Sequence, residues 1–147
     1  MQTFLPYPNF ALTAKCLDYK RLGKQRSETI QILNSLLYSS SGWRHHPVMD
    51  MWRGYEALLC QYGLVITKEW IDRGYIDNCY PVIMDIYNNI PLYKRINILI
   101  PRWLGNYEFH LAHRSNLLRK NYLFYSKYQW NEPSNLPYIW PKGDIHV

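Results

Sequence analysis

The chain has 147 residues, which is the size of one domain with a hydrophobic core of its own, and we predict a single domain over 1–147. Its net charge of +6 favours an acidic partner such as nucleic acid. The beginning of the chain lacks the pattern of a signal peptide, and no apolar run of about 18 residues occurs, so we expect an intracellular protein without a membrane span.

The first ten residues are apolar and contain Pro6 and Pro8, which predicts an extended segment packed against the body of the protein. Such packing fixes the position of the terminal amine. An α-amino group has a reference pKa of about 8, against about 10.4 for lysine, so more of it is neutral and nucleophilic at physiological pH. A packed terminus without any chemical role is the common alternative.

The stretch 11–37 contains no proline and predicts one long helix, because its apolar residues recur at helical spacing. The face expected to be buried carries Leu12, Tyr19, Leu22, Ile30, Leu33 and Leu37. Arg26 falls inside this face and needs a partner or a cleft, since an unpaired buried charge is strongly unfavourable. Glu56 is a candidate partner.

A second face of the same predicted helix groups Arg21, Lys24 and Glu28, with Gln25 and Asp18 beside it. One interpretation is a solvated charged face with one buried ion pair. The other is a site for a phosphate backbone, in which an acid held among cations takes part in chemistry.

Residues 39–42 predict a loop, and Pro47 then suits the first turn of a helix. His46 therefore stands at a helix start, where backbone N–H groups and the helix dipole favour a phosphate-like anion. Adjacent His45 and His46 do not face one another, and no second pair of ligands supports metal binding, so neither a metal nor another cofactor is predicted.

A second long helix is predicted over 47–73. Its core-spaced residues are Met51, Tyr55, Leu58, Leu59, Tyr62, Val65, Ile66 and Trp70. Gly54 and Gly63 weaken this helix, and we expect close helix packing at each, while Gly74 is expected to cap the C-terminus.

Residues 76–102 lose the helical period and are divided by prolines, so short helices or turns are expected there. A third helix is predicted over 107–120, with His110, His113 and Arg114 on one face. The aromatic tail that follows is expected to pack mostly back on the helices. The three cysteines, Cys16, Cys60 and Cys79, are odd in number and far apart, which favours free thiols in the core and a reducing compartment.

Several ordered motifs carry a resemblance to a known family. They are Met-Gln-Thr-Phe-Leu-Pro-Tyr at 1–7, Leu-Asp-Tyr-Lys-Arg-Leu-Gly-Lys-Gln-Arg-Ser-Glu at 17–28, Gly-Trp-Arg-His-His-Pro at 42–47, Met-Trp-Arg-Gly-Tyr-Glu at 51–56, Arg-Gly-Tyr at 73–75, Ala-His-Arg-Ser-Asn-Leu-Leu-Arg-Lys at 112–120 and Leu-Pro-Tyr-Ile-Trp-Pro at 136–141. With these motifs the chain resembles the pyrimidine-dimer DNA glycosylases with abasic-site lyase activity, the phage endonuclease V type. The resemblance is close to a bacterial and viral branch of that family and distant from the phage enzyme.

The resemblance implies a compact all-α protein of about three main helices, with an extended N-terminal segment and an aromatic tail. It also implies a monomer that acts on damaged or modified duplex DNA without a metal or cofactor. In this family the terminal amine attacks C1′ of the damaged nucleotide and forms an imine, and a glutamate of the first helix stabilises it.

The chain departs from the family pattern at both groups. Gln2 is too large for ordinary methionine removal, so the amine is expected to belong to Met1, or to Gln2 after unusual processing. Alignment on the family pattern places Arg21 where the glutamate is expected. Glu28, or less readily Asp18, then takes the part of the catalytic acid.

The predicted DNA-binding residues are Arg21, Lys24, Gln25, Arg26, Arg44, His46, Trp52, Tyr55, His113 and Arg114. Trp43, Trp52 and Tyr55 are expected to be exposed aromatics that fill the gap left by a flipped base. Two alternatives stay open. One is a non-catalytic nucleic-acid binder on the same scaffold, and the other is an enzyme that acts on a different modified nucleotide, free or in RNA.

Overall fold

A computed structural model describes residues 1–38 and 45–142. In these two parts the chain forms eight α-helices and no β-strand, which confirms the all-α class. The helices are α1 (Phe10–Cys16), α2 (Tyr19–Tyr38), α3 (Pro47–Trp52), α4 (Glu56–Asp72), α5 (Tyr80–Asn89), α6 (Leu92–Ile96), α7 (Tyr107–Lys120) and α8 (Tyr122–Tyr125), with a 3-10 turn at Ser126–Tyr128. None of the helices in the described ranges has the length and apolarity needed to cross a membrane. The prediction of one domain over 1–147 stays a prediction.

The predicted helix over 11–37 is wrong in one respect, because the structure divides it into α1 and α2. Leu17 is extended, with ψ of 139°, and its side chain is fully buried. Asp18 then starts α2 anew, since its carbonyl oxygen accepts the Leu22 N–H at 2.9 Å. The backbone N–H of Asp18 donates to the Tyr125 hydroxyl at 3.0 Å, so a residue from far along the chain stabilises the break.

This break changes the buried face that a single helix predicted. Leu22 and Leu33 are fully buried, as expected, and Ile30 is half-buried. Leu12, Tyr19 and Leu37 are exposed instead. An unbroken helix would bury Leu12, but the change of direction at Leu17 turns Leu12 toward solvent.

The predicted helix over 47–73 also divides, into α3 and α4. Gly54 lies between them with φ of +90°, a conformation that glycine adopts readily. A Cβ at Gly54 would meet nothing within 4 Å, so the prediction of close helix packing at this position is wrong.

Close packing is confirmed at the other interior glycine. A Cβ at Gly63 would lie 2.6 Å from Thr29 Cγ2 and 3.0 Å from Ile83 Cδ1. The absence of a side chain at Gly63 therefore lets α4 approach α2 and α5. Gly74 follows the end of α4 with φ of +93°, which confirms the predicted C-terminal cap.

Helix α4 lies at the centre of the protein and packs against α1, α2 and α5. Leu59, Tyr62 and Ile66 are fully buried on it. The three cysteines are free and buried, which confirms them as core residues. Burial raises the pKa of the Cys16 and Cys60 thiols to about 12.

The chain from residue 76 to residue 142 follows the prediction closely. The short helices α5 and α6 occupy the region where the period is lost, and α7 has the predicted bounds. In the tail, Tyr125 stacks on Trp130 at 5.7 Å and Tyr128 stacks on Trp130 at 5.3 Å between ring centroids. The expectation that most of the tail packs back on the helices is confirmed, since several of its rings contact the core.

Candidate active site

The N-terminal segment is extended and runs through the protein, and its residues from Gln2 to Pro6 are buried. This confirms the predicted packing. The segment is not paired in a β-sheet, so side chains of α2 and α7 form the hydrogen bonds that its buried backbone groups need. The segment therefore has a single position relative to both helices.

Two histidines of α7 hold the peptide groups of Leu5. The Leu5 N–H donates to His113 Nδ1 at 3.0 Å, and the Leu5 carbonyl oxygen lies 2.8 Å from His110 Nδ1. His110 Nε2 accepts the Gly105 N–H at 2.8 Å, so the ring proton of His110 is on Nδ1 and is donated to Leu5. Both rings must be neutral for this arrangement.

The surroundings of these histidines favour the neutral form. Burial and, to a lesser extent, the charge of the neighbouring His110 lower the pKa of His113 to about 3. Burial also lowers the pKa of His110. His113 is fully buried and holds the segment, so its predicted contact with DNA is not supported.

Gln25 of α2 connects the N-terminal segment to the predicted catalytic acid. Its Oε1 accepts the Phe4 N–H at 2.9 Å, and its Nε2 donates to the Gln2 carbonyl oxygen at 2.8 Å and to Glu28 Oε2 at 3.4 Å. The Tyr62 hydroxyl lies 2.6 Å from the same Oε1. Gln25 is buried and bonded to the segment, so its predicted contact with DNA is not supported.

Glu28 lies directly beside the beginning of the chain. The Gln2 backbone N–H donates to Glu28 Oε2 at 3.2 Å. Glu28 is half-buried, and the Gln25 amide on its other side fixes the same oxygen. The structure thus brings together three of the predicted site residues, Gln2, Gln25 and Glu28.

These groups lie in an open cleft of about 380 Å³. The described residues that line it are Met1, Gln2, Phe4, Lys20, Arg21, Lys24, Gln25, Glu28, Lys120 and Tyr138. Four of them are cationic, and Glu28 is the one that carries a carboxylate. We name this the cationic cleft. Its positive charge suits an anionic polymer such as a nucleic acid strand, and Glu28 lies beside the first residues of the chain.

The cations of this cleft are close enough to affect one another. The pKa of Lys120 is lowered, first by burial and then by the positive charges of Arg21, Arg119 and Lys24. Mutual repulsion of this kind is relieved when an anion binds between the cations. The predicted site residues did not include Lys20, Lys120 and Tyr138, although each of them lies in one of the family motifs.

A second cleft of about 480 Å³ adjoins the first and shares Lys20, Arg21 and Lys120 with it. Asp18 lines this second cleft, not the cationic cleft. Its Oδ2 accepts from Arg21 Nη1 at 3.1 Å, and its Oδ1 accepts from the Tyr125 hydroxyl. Both oxygens of Asp18 are therefore engaged, which favours Glu28 over Asp18 as the acid beside the terminus.

Arg26 is paired inside the protein. Its Nη1 lies 2.6 Å from Asp77 Oδ1, and its guanidinium stacks on the Trp70 ring at 4.3 Å. The predicted partner, Glu56, is wrong, although the expectation that Arg26 needs a partner is confirmed. Only 15% of the Arg26 side chain is exposed, so its predicted contact with DNA is not supported.

Arg114 and Trp52 also hold the N-terminal segment. Arg114 pairs with Glu132 at 2.6 Å and donates from Nη1 to the Pro6 carbonyl oxygen at 2.9 Å. Trp52 Nε1 donates to Thr3 Oγ1 at 3.0 Å. Because these two side chains are engaged with the segment, their predicted contacts with DNA are not supported.

The expected exposure of the aromatic residues is wrong for Trp52 and Tyr55. Trp52 is fully buried and Tyr55 is 9% exposed, because α3 and the start of α4 turn them into the core. Trp43, Arg44 and the predicted loop at 39–42 lie outside the described residues.

His46 stands at the N-terminus of α3, as predicted. Its Nδ1 accepts the Val48 N–H at 3.1 Å, and its ring meets the Trp140 ring edge-on at 5.3 Å. Burial and the positive charge of the chain terminus lower the pKa of His46. His46 therefore lies near the terminal amine, and its contact with a phosphate stays a prediction.

In the described ranges no group of three or more His, Cys, Asp or Glu residues could hold a metal ion. The fold and the site together define an all-helical protein whose buried N-terminal segment leads into a cleft suited to an anionic substrate.

A family model described as pyrimidine dimer DNA glycosylase matches residues 1–80, which is more than half of the chain. The chain belongs to this family, as its motifs predict. The match includes the N-terminal segment, α1 to α4 and Glu28, whereas Lys120 and Tyr138 lie beyond it. Searches of curated proteins and of solved structures give no significant match.

Proposed function

We propose that this protein removes damaged or modified pyrimidines from duplex DNA and cleaves the resulting abasic site through an imine with its terminal amine. Membership of the family supports the glycosylase kind of activity. The observation that carries the rest is the 3.2 Å contact between the Gln2 backbone nitrogen and Glu28 Oε2 in the cationic cleft. A monomer acting inside the cell, where its substrate is found, is part of this proposal.

The cations of the cleft bind the phosphates. Lys20, Arg21, Lys24 and Lys120 surround the terminus and Glu28, so a strand held by its phosphates places a sugar near both groups. The sugar C1′ is not accessible in a regular duplex, and the strand must be kinked or a base flipped to expose it.

The reaction begins with the neutral terminal amine. Its lone pair attacks C1′, the bond from C1′ to the base breaks, and the electron pair of that bond leaves with the base, which takes up a proton. The sugar ring then opens to the imine. Glu28, a carboxylate beside C1′, stabilises the positive charge that develops on the sugar.

The same carboxylate serves the cleavage step. Loss of a C2′ proton to Glu28 lets the electron pair form a new double bond between C2′ and C3′, and the 3′ phosphate leaves. Water then hydrolyses the imine and frees the amine. Neither step requires a group beyond the amine, the carboxylate and the phosphate-binding cations.

The identity of the amine depends on the first residue. When Met1 is removed, the amine of Gln2 occupies the position 3.2 Å from Glu28. When Met1 is retained, that nitrogen is an amide and the amine belongs to Met1, which also lines the cleft. Both forms place an amine and Glu28 in the same cleft.

Borohydride trapping tests the proposal. The protein is incubated with an ultraviolet-irradiated duplex and with an abasic-site duplex, reduced, digested with trypsin and analysed by mass spectrometry. We expect an adduct on the peptide that ends at Lys15, and its mass identifies Met1 or Gln2 as the amine. Binding to both duplexes without an adduct contradicts the proposal and favours the non-catalytic binder.

A further inference from the structure

The cationic cleft contains a lysine that the proposed reaction uses only for its charge and not as a nucleophile. Lys120 is the last residue of α7 and lines both the cationic cleft and the adjoining second cleft. Its Nζ lies 6.0 Å from the centre of the Phe4 ring. Because Phe4 belongs to the N-terminal segment, Lys120 and the terminus border the same space.

A second amine matters when Met1 is retained. With Met1 retained, the nitrogen at 3.2 Å from Glu28 is the amide nitrogen of Gln2. An amide nitrogen is not a nucleophile, because its lone pair is delocalised into the carbonyl group. The position beside the acid is then occupied by a group that cannot form an imine.

The groups that face Lys120 favour its neutral form. Arg21 and Lys24 face it from α2, Arg119 precedes it on α7, and Glu28 is the carboxylate that opposes them. Burial and the three cations together lower the pKa of Lys120. An amine placed next to other cations is a recognised form of activated lysine nucleophile.

We propose that Lys120 is a second imine-forming amine of the cationic cleft, which attacks the open-chain aldehyde of an abasic site. This inference rests on the proposed function, since it takes the abasic site as substrate. It adds an amine of the C-terminal half of the chain, beyond the residues that the family model matches.

Imine formation between Lys120 and the abasic site needs no further reagent. The neutral Nζ adds its lone pair to the C1′ aldehyde carbon, and one proton moves from nitrogen to the former carbonyl oxygen. That oxygen takes up a second proton and leaves as water, which gives the protonated imine. Elimination of the 3′ phosphate then follows as from the terminal amine.

The experiment separates the two amines by blocking one of them. The full chain is compared with the full chain acetylated at its N-terminus, each trapped with borohydride on an abasic-site duplex. Lys120→Arg removes the amine and keeps the charge. Lys68→Arg is the matched control, because Lys68 is an exposed lysine of α4 that lines neither the cationic cleft nor the second cleft.

We expect the acetylated protein to give an adduct on the tryptic peptide 120–127, with Lys120 modified. The acetylated Lys120→Arg variant should lose this adduct by about tenfold or more, and the acetylated Lys68→Arg variant should keep it. The yield of the Lys120 adduct should rise between neutral and mildly alkaline pH as more of the amine is neutral.

The other outcomes are distinct. An adduct on peptide 1–15 that disappears on acetylation, with none on Lys120, overturns this inference and leaves the proposed function intact. An adduct on Lys120 alone supports the inference and removes the terminal amine from the proposed reaction. No adduct in any form, with abasic-duplex binding intact, overturns both. An unchanged adduct in the acetylated Lys120→Arg variant also contradicts the inference.

Discussion

Helix α2 borders several clefts, two of which have similar size and opposite character. Its 20 residues span about 30 Å. Near its start lies the cationic cleft of about 380 Å³, and near its end Leu37 and Tyr38 line a cleft of about 390 Å³ with mainly apolar walls. Size therefore does not distinguish the candidate active site. Charge and the position of Met1 distinguish it, because, of the two clefts as the described residues line them, the cationic cleft is the one that contains Met1.

Each cleft contains a glutamate, so the comparison can be tested with a matched pair. Glu28→Gln should lower the yield and rate of imine trapping by about 100-fold, since it removes the charge that stabilises the sugar. Glu56→Gln, in the apolar cleft, should leave trapping unchanged. Single-turnover trapping on an abasic-site duplex measures both, and equal rates for the two variants would contradict the assignment of the active site.

The second test concerns the buried hydrogen-bond network beneath the cationic cleft. Gln25→Met should lower the free energy of unfolding by about 2–4 kcal/mol, because the Phe4 N–H and the Gln2 carbonyl oxygen lose their partner. Urea unfolding measures this change. Gln31→Met, on an exposed position of the same helix, is the control and should shift stability by about 0.5 kcal/mol or less.

The third test is the pH dependence of the segment that leads into the cleft. The folded-state pKa of His113 is about 3, against 6.5 for the free side chain, because burial disfavours the charged ring. The stabilisation is complete above pH 6.5 and is lost as the pH falls toward 3. We expect the free energy of unfolding to fall over this range by at most about 1.4 kcal/mol per pH unit for this residue.

The variant His113→Asn checks this result, since an amide oxygen can accept the Leu5 N–H without titrating. Chemical unfolding from pH 7 to pH 4 should show a shallower decline for the variant than for the natural protein. A parallel decline would mean that other groups cause the loss of stability.

The smallest expected effect distinguishes the clefts by charge alone. Lys24→Ala should weaken duplex binding and reduce the slope of log affinity against log salt by about 1. Lys94→Ala, in the apolar cleft, should change neither quantity. Fluorescence anisotropy across a salt series measures both slopes, and an unchanged slope for Lys24→Ala would exclude this residue from the DNA interface.

The features that the sequence predicted well depend on residues that are close together in the chain. Helix α7 has its predicted bounds, because the Asn106 side chain accepts the Phe109 N–H at 3.0 Å and the helical period continues to Lys120. The grouping of Glu28 with Arg21 and Lys24 follows from helical spacing in the same way. The family motifs then indicated what these residues do together.

Two of the predictions that the structure does not bear out share one physical cause, which is a partner distant in sequence. No proline or glycine marks the break at Leu17, and the hydroxyl of Tyr125 stabilises it from 107 residues further on. His113 pairs with Leu5 across 108 residues, so its position on a helix face could not distinguish a buried support from a DNA contact.

The sequence by itself determined the helical class, the family and a carboxylate among cations, because each depends on local spacing or on motifs. Only the tertiary structure decided that the Gln2 nitrogen donates a hydrogen bond to Glu28 and that Gln25 is hydrogen-bonded to both residues. It also decided that Lys120 borders the same cleft. Those contacts join separate elements, and packing of the whole core sets their distances.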